Sequence, residues 1–217
     1  IWPALIDPYS DLGLPANTTE ERKAEQTGSR HWNDALRADA RAHGLLRADA
    51  ERAAKLREQG FATVITHRMD GIARGTSCAL HLTDEPAAEA VLRSDVAAHF
   101  SLRKGSATNK YPSSQMGAIA LLRQALLDAQ WQTRTAQPTT DPVLEALARQ
   151  LQGRVVVEAA DRNELLRWNA LFRPFGVTAI VRGGGDEYAR LFEVKATGMP
   201  LILPLQLPEA YDVADPY

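Results

Sequence analysis

The strongest pattern along the chain is a regular exchange of short apolar runs with stretches of helical spacing. Phe61 to Thr66 is a β-branched apolar run that predicts a buried strand. Cys78 to Leu82 and Val96 to Leu102 read as further strands. Before them, Trp32 to Gln59 has helical spacing, with Asn33 or Asp34 as the cap, an interruption at Gly44 and a C-terminal stop at Gly60. Pro86 sits where the first residue of a helix through Leu92 would stand. Ser113 or Ser114 caps a strong helix from Met116 to Gln130, with Ile119, Leu122, Leu126 and Leu127 on one face. Pro142 to Leu151 is another helix.

The last third is the most regular. Val155 to Val157 is a strand, Asp161 caps a helix through Phe172, and Val177 to Val181 is a strand. Gly183-Gly184-Gly185 leads into a helix from Asp186 to Thr197, and Leu201 to Leu203 is a strand. Short loops between buried strands and helices imply parallel pairing with right-handed crossovers. At the other end, Ala4 to Ile6 reads as a short strand running into a polar turn at residues 7–11. Residues 15–30 read as a mobile loop, 133–140 as a linker, and the acidic tail after Pro208 as extended. The expected fold class is α/β: a (β/α) barrel or an open doubly wound sheet, as one domain over residues 1–217.

Composition narrows the partners. Of 217 residues, 45% are apolar and 24% charged, the mix of a globular protein. Lysine plus arginine is 25 against 27 acids, a net charge of −2, which offers no field for nucleic acid or an anionic membrane. No apolar run is long enough to span a bilayer. The single cysteine, Cys78, excludes an intrachain disulfide and a cysteine-based zinc cage. The chain opens on Ile1, so the expectation is a processing site or a boundary upstream; the compartment, bacterial cytoplasm or periplasm, stays open. Asn17-Thr18-Thr19 matches a glycosylation acceptor, with nothing else pointing to that route.

In either architecture, chemistry belongs at the carboxyl ends of the parallel strands. His67 ends the first clear strand and suits a general base, a metal ligand or a turn cap. Asp70 and Arg74, in a loop with two glycines, form either a carboxylate clamp or an internal ion pair. Glu158 follows three valines and must be paired if buried, with Arg182 on the next strand as the expected partner. That pair reads equally as substrate-facing or as a structural bridge. Gly183 to Gly185 resembles a phosphate cradle, although Asp186 and Glu187 already bring negative charge to it. His99 reads as a core residue with a satisfied hydrogen bond, and His31, His43 and His81 as structural or surface residues.

The run Pro3-Ala4-Leu5-Ile6-Asp7-Pro8-Tyr9-Ser10-Asp11 resembles the first barrel strand of the amidohydrolase superfamily, Pro-Gly-Leu-Ile-Asp-x-His-x-His. Gly60-Phe61-Ala62-Thr63-Val64 is similar to the Gly-Val-Thr-Thr-Val strand of those enzymes. The stretch from Val155 through the glycines to Met199-Pro200-Leu201-Ile202-Leu203 is similar to later strands of imidazolonepropionase-related members. His67 to Thr76 and Tyr111-Pro112-Ser113-Ser114 are similar to a bacterial branch of them.

The resemblance implies a (β/α) TIM barrel of the metal-dependent hydrolase type, incomplete at six or seven strands, with a missing chain segment or a second copy completing it. It implies hydrolysis of a non-peptide C–N bond in a small cyclic amide or amidine. His67, Asp70 and Glu158 would be catalytic, with Tyr9, Arg74, Arg182, Gly183 and Gly184 on the substrate. The family's divalent zinc would fall to Asp11 and Glu158 alone, because the expected histidines stand here as Tyr9, Asp11, Glu158 and Arg182. The alternative is an inactive relative that binds a small anion or a partner protein. A weaker one is a phosphate-binding barrel using Gly183 to Gly185.

Overall fold

The computed structural model describes residues 3–15, 31–84, 86, 88–135 and 141–204. It is a mixed α/β protein whose described strands form two sheets rather than one closed barrel. The first sheet has the order β1-β2-β4-β5, from Leu5–Ser10 (β1), Phe61–Thr66 (β2), Cys78–His81 (β4) and Val91–Arg93 (β5). The second has the order β3-β6-β7-β8-β9, from Ala73–Thr76 (β3), Ala98–Phe100 (β6), Val155–Glu158 (β7), Ile180–Arg182 (β8) and Leu201–Ile202 (β9). β1 and β2 are parallel, as are β6 through β9.

One extended stretch joins the sheets. β3 and β4 are separated only by Ser77, yet β3 pairs antiparallel with β6 and β4 antiparallel with β2. Ser77 keeps both main-chain groups occupied, donating to Ala97 O and accepting from Val96 N, each at 2.9 Å. A strand laid across the gap therefore stands where a closed barrel would pair β2 with β6.

Four helices follow expectation in place. α1 (Ala50–Glu58) is capped by Asp49, and α2 (Gln115–Arg134) by Ser114, whose hydroxyl accepts from Gly117 N. α3 (Pro142–Gln150) is capped by Asp141 and α4 (Arg162–Phe172) by Asp161. The buried face of α2 is Ala118, Leu121, Leu122, Ala125, Leu126 and Ala129; Leu127, expected inside, is half exposed. The alanines, which carry little apolar signal, set the true face.

Five expectations are corrected. The helix over Trp32 to Gln59 forms only as α1, preceded by a single 3-10 turn at Ala42–Leu45. Residues 35–41 instead lie along β3, with Ile72 N donating to Ala35 O, Arg37 N to Ala73 O and Thr76 N to Ala40 O. The contact is so close that a Cβ on Gly75 would stand 2.0 Å from Ala40 O. The helix expected after Pro86 is a turn at residues 88–90 followed by β5, because β4 draws Val91 into its ladder. The polar turn at residues 7–11 is mostly β1, which continues through Tyr9 to Ser10 beside β2. The helix over Asp186 to Thr197 divides into a 3-10 turn at Glu187–Arg190 and α5 (Leu191–Ala196), since the Glu187 side chain folds back onto the preceding glycines. The linker begins later than expected, with α2 running to Arg134. Residues 16–30, 136–140 and 205–217, which hold most of the expected mobile loop, the rest of the linker and the tail, lie outside the described residues.

Each sheet has its own core. Trp168, Phe172, Leu165 and Leu171 of α4 and Leu122 and Leu126 of α2 pack with Phe100, Val157 and Val181 of the second sheet. Leu12, Ala53, Val64, Cys78, Leu80 and Leu82 form the smaller core under the first. Burial of each large side chain contributes about 1.5–3 kcal/mol. Both sheets are thereby held so that the carboxyl ends of β1, β2, β6, β7 and β8 face one region.

Candidate functional site at the meeting of the two sheets

Tyr9 is the centre of that region. It lies near the end of β1 and crosses from one sheet to the other. Its Oη donates to Glu158 Oε2 at 3.2 Å and accepts from Arg74 Nη1 at 3.1 Å. The same Arg74 nitrogen sits 2.8 Å from Glu158 Oε2, closing a three-membered network from β1, β3 and β7. Arg103, from the loop after β6, stands 3.9 Å from Glu158 Oε1. The Arg182 guanidinium lies 5.7 Å from the centroid of the Tyr9 ring, in cation–π range. Trp168 Nε1 donates to the Glu158 carbonyl at 2.9 Å and anchors the end of β7 on α4.

Against the other edge of Tyr9 lie two buried imidazoles. The Tyr9 and His67 rings meet edge to face at 4.4 Å, and His67 and His99 stack at 3.7 Å. Neither ring nitrogen of either histidine has a hydrogen-bond partner among the described residues. His67 also lines a cavity of about 230 Å³ with Asp11, Arg52, Arg68 and Met69.

The charges follow from burial and from Arg74. Burial alone would raise the Glu158 carboxyl. The Arg74 charge and hydrogen bond, helped by Arg103 and by the Tyr9 hydroxyl, outweigh it and hold the carboxyl below its ordinary value. Glu158 is therefore ionised at neutral pH. Burial pushes the Tyr9 phenol up to about 12, with Arg74 opposing and Glu158 reinforcing. Burial and then the Arg74 charge push His99 down to about 3. His67 is held well below its ordinary value by burial first, then by His99 and Arg74, with the Ser10 main chain opposing. The site thus combines a fixed ion pair, a protonated phenol and two neutral imidazoles.

This arrangement revises several sequence-based assignments. The charge partner of Glu158 is Arg74, with Arg103 farther off, not Arg182, which is its register partner across β7 and β8. His99 is buried as expected, but its ring is not satisfied by hydrogen bonds. Asp70 serves the loop after β6, its two oxygens accepting from Ser106 N and Ser106 Oγ, each at 2.7 Å. That loop passes so close that a Cβ on Gly105 would meet Asp70 Oδ1 at 2.0 Å. The glycine cradle is filled from within. Gly184 N donates to Glu187 Oε1 at 2.7 Å and Gly185 N to Glu187 Oε2 at 3.0 Å, while Gly183 N is used in the sheet by Ile202 O. Of the expected site residues, Tyr9, His67, Arg74, Glu158 and Arg182 come together.

His99 and Arg103 join them without having been singled out. The signal available for His99 was a histidine inside a short buried strand, which reads first as core. Its pairing with His67 depends on how two separate sheets are placed.

Asp11 is half exposed and bonded to Arg52 at 2.6 Å, and the Glu158 oxygen nearest the site is held by Arg74. Among the described residues no group of three or more histidine, cysteine, aspartate or glutamate side chains draws together as ligands would. This set does not fit a zinc centre.

No family model matches the chain, and no curated protein matches it. Among solved structures it is similar to an amidohydrolase from Thermotoga maritima MSB8, with a TM-score of 0.73 over 94% of this chain at 14% identity. At that identity the likeness is one of fold. The chain spans 57% of the length of that structure.

Proposed function

We propose that the chain carries the substrate-binding mouth of a hydrolase acting on a non-peptide C–N bond of a small cyclic amide or amidine. The observation that carries this reading is the neutral, buried imidazole of His67 beside a fixed network of Tyr9 on β1, Arg74 on β3 and Glu158 at the end of β7. The amidohydrolase-like fold supports the reaction class; the cyclic substrate rests on the sequence resemblance alone.

His67 is the base. Its ring nitrogens are shielded from solvent and burial lowers their basicity, so the role requires water to reach the ring; the imidazole then accepts a proton as the water oxygen adds to the substrate carbon. The same proton passes to the leaving nitrogen as the C–N bond breaks. Glu158 already has its charge answered by Arg74. Its role is to hold Arg74 and the Tyr9 hydroxyl in place. Arg182 binds a substrate carboxylate, and Tyr9 forms the wall beneath it. No step is routed through a metal.

Turnover of five- and six-membered cyclic amides and amidines by the purified chain tests this. We expect turnover above the buffer rate and a loss of at least 100-fold in kcat/KM for His67→Gln, with Arg182→Ala raising KM. Absence of turnover, or unchanged rates in His67→Gln, overturns it.

A second reading is favoured by one observation. The only carboxylate of the network is neutralised, which leaves Arg182 and Arg103 as a cationic mouth suited to holding a small anion without chemistry. It predicts binding of small dicarboxylates, lost in Arg182→Ala, with no turnover.

A further inference from the structure

At the opposite end of the second sheet, away from Tyr9 and Glu158, lies a cavity of about 580 Å³. It opens at the amino ends of β6 and β7, where Ala98 N donates to Arg154 O. That volume falls in the range of small-molecule sites. Four arginines line it, Arg41, Arg93, Arg149 and Arg154, against two aspartates, so its field is positive.

The arginines divide into two kinds. Arg41 is ion-paired with Asp95, its Nε also donating to Asp95 Oδ1 at 3.2 Å, and Arg93 Nε donates to the Asp95 carbonyl at 3.1 Å. Asp95 is itself fixed by Thr76 Oγ1 at 2.7 Å. These two are wall. Arg149, on α3, and Arg154, just before β7, have no ion pair or side-chain hydrogen bond with a described residue.

Two residues that line the cavity also carry shielded acceptors that lack donors. Gln150 Nε2 donates to Ala38 O at 2.7 Å, which fixes the amide so that Oε1 is the remaining atom. That Oε1 and Asp39 Oδ1 are both shielded from solvent and have no hydrogen-bond partner among the described residues. Leaving a shielded acceptor unpaired is costly, so a ligand that donates to it gains more than one offering charge alone.

We infer that this cavity is a binding site for a small anion that also carries N–H donors. The anionic end, a phosphate monoester or a carboxylate, is taken by Arg149 and Arg154, and the N–H groups by Asp39 and Gln150. Paired guanidinium donors suit either anion. The site is separate from the Tyr9 region and does not depend on the proposed hydrolysis.

Titration calorimetry on the whole chain with two matched pairs of probes tests it. GMP and ribose 5-phosphate share a phosphate and differ in the N–H-bearing base. Glutaramate (4-carbamoylbutanoate) and 5-oxohexanoate share one carboxylate and one charge and differ in the amide NH2 that a methyl group replaces. We expect at least one N–H-bearing member to bind at least tenfold more tightly than its counterpart, the pair that responds identifying the anion. Arg149→Ala/Arg154→Ala should weaken that binding at least tenfold, and Asp39→Ala should erase the difference within the pair. Both arginines are exposed, so the double variant is expected to fold. Arg123→Ala, on the outside of α2, controls for loss of surface charge and should change nothing. No binding by any probe, or binding unaltered by the double variant, overturns the site. Equal binding within both pairs overturns the role of Asp39 and Gln150.

Discussion

The imidazole rings of His67 and His99 lie face to face, 3.7 Å between centroids and 19° from parallel, although they belong to different sheets. Two cations could not occupy that geometry without a counter-charge between them, and Arg74 adds further positive charge nearby. The pair is therefore neutral in the folded protein, and its neutrality has a consequence for acid stability.

Unfolded histidine takes up a proton near pH 6.5, whereas folded His99 does so near 3. Below pH 6.5 the unfolded chain binds more protons, so stability present at neutral pH falls as the pH drops from about 6.5 towards 3. Denaturant midpoints measured between pH 7 and 4.5, above the range where carboxylates dominate, should show this fall. In His99→Phe the dependence should flatten. An unchanged slope would mean that the pair is not the source.

Arg74 is almost fully buried against Glu158. Arg74→Met leaves that carboxylate half-buried without its counter-charge and should cost about 2–4 kcal/mol. Adding Glu158→Gln should restore part of the loss. A double-mutant cycle by chemical denaturation measures the coupling, expected to exceed about 1 kcal/mol. Strict additivity of the two substitutions would refute the network.

The Tyr9 phenol is raised to about 12, above the ordinary tyrosine value near 10. Absorbance at 295 nm followed through alkaline pH should show a late step that Tyr9→Phe removes. Because the folded state holds this proton more tightly than an unfolded tyrosine near 10, stability falls as the pH rises from 10 through 12.

Trp168 ties the larger core to the site. It is fully buried, stacks on Phe172 at 5.5 Å, and donates its indole N–H to the Glu158 carbonyl. Trp168→Ala should cost about 3–5 kcal/mol through the cavity it leaves. Trp168→Phe keeps most of the volume but orphans the carbonyl, for about 1–3 kcal/mol. Thermal unfolding of both variants checks the order.

Two glycines separate backbone strain from collision. Gly60 has φ +92° with open space where a Cβ would stand, so Gly60→Ala should cost about 1–2 kcal/mol. Gly75 has φ +83°, and its Cβ would collide with Ala40 O, so Gly75→Ala should cost clearly more. Equal losses would show that the 35–41 segment is not held against β3.

Local chemistry alone determined much of this protein. The β-branched run at Phe61 to Thr66 and the caps Ser114, Asp141 and Asp161 form as their residues dictate, because each depends on neighbours within a few positions. The order of strands and helices after Val155 also holds, but the strand expected over Val177 to Val181 forms at Ile180–Arg182 and the helix expected from Asp186 is divided. Tyr9, His67, Glu158 and Arg182 were legible because each stands at or just after an apolar run, whereas Arg74 was read in a loop and lies within β3.

Only the tertiary structure decided which of them meet. Residues 35–41 gave up helical spacing to pair with β3, because main-chain groups beside an open strand edge must be satisfied. Glu158 took Arg74 rather than Arg182, because adjacent parallel strands align backbones while salt bridges follow the direction of side chains. His99 met His67 through the placement of two sheets, and the Glu187 carboxylate filled the glycine turn that looked ready for a phosphate. Each of these is a distance between groups remote in the chain, and periodicity carries no information about such distances.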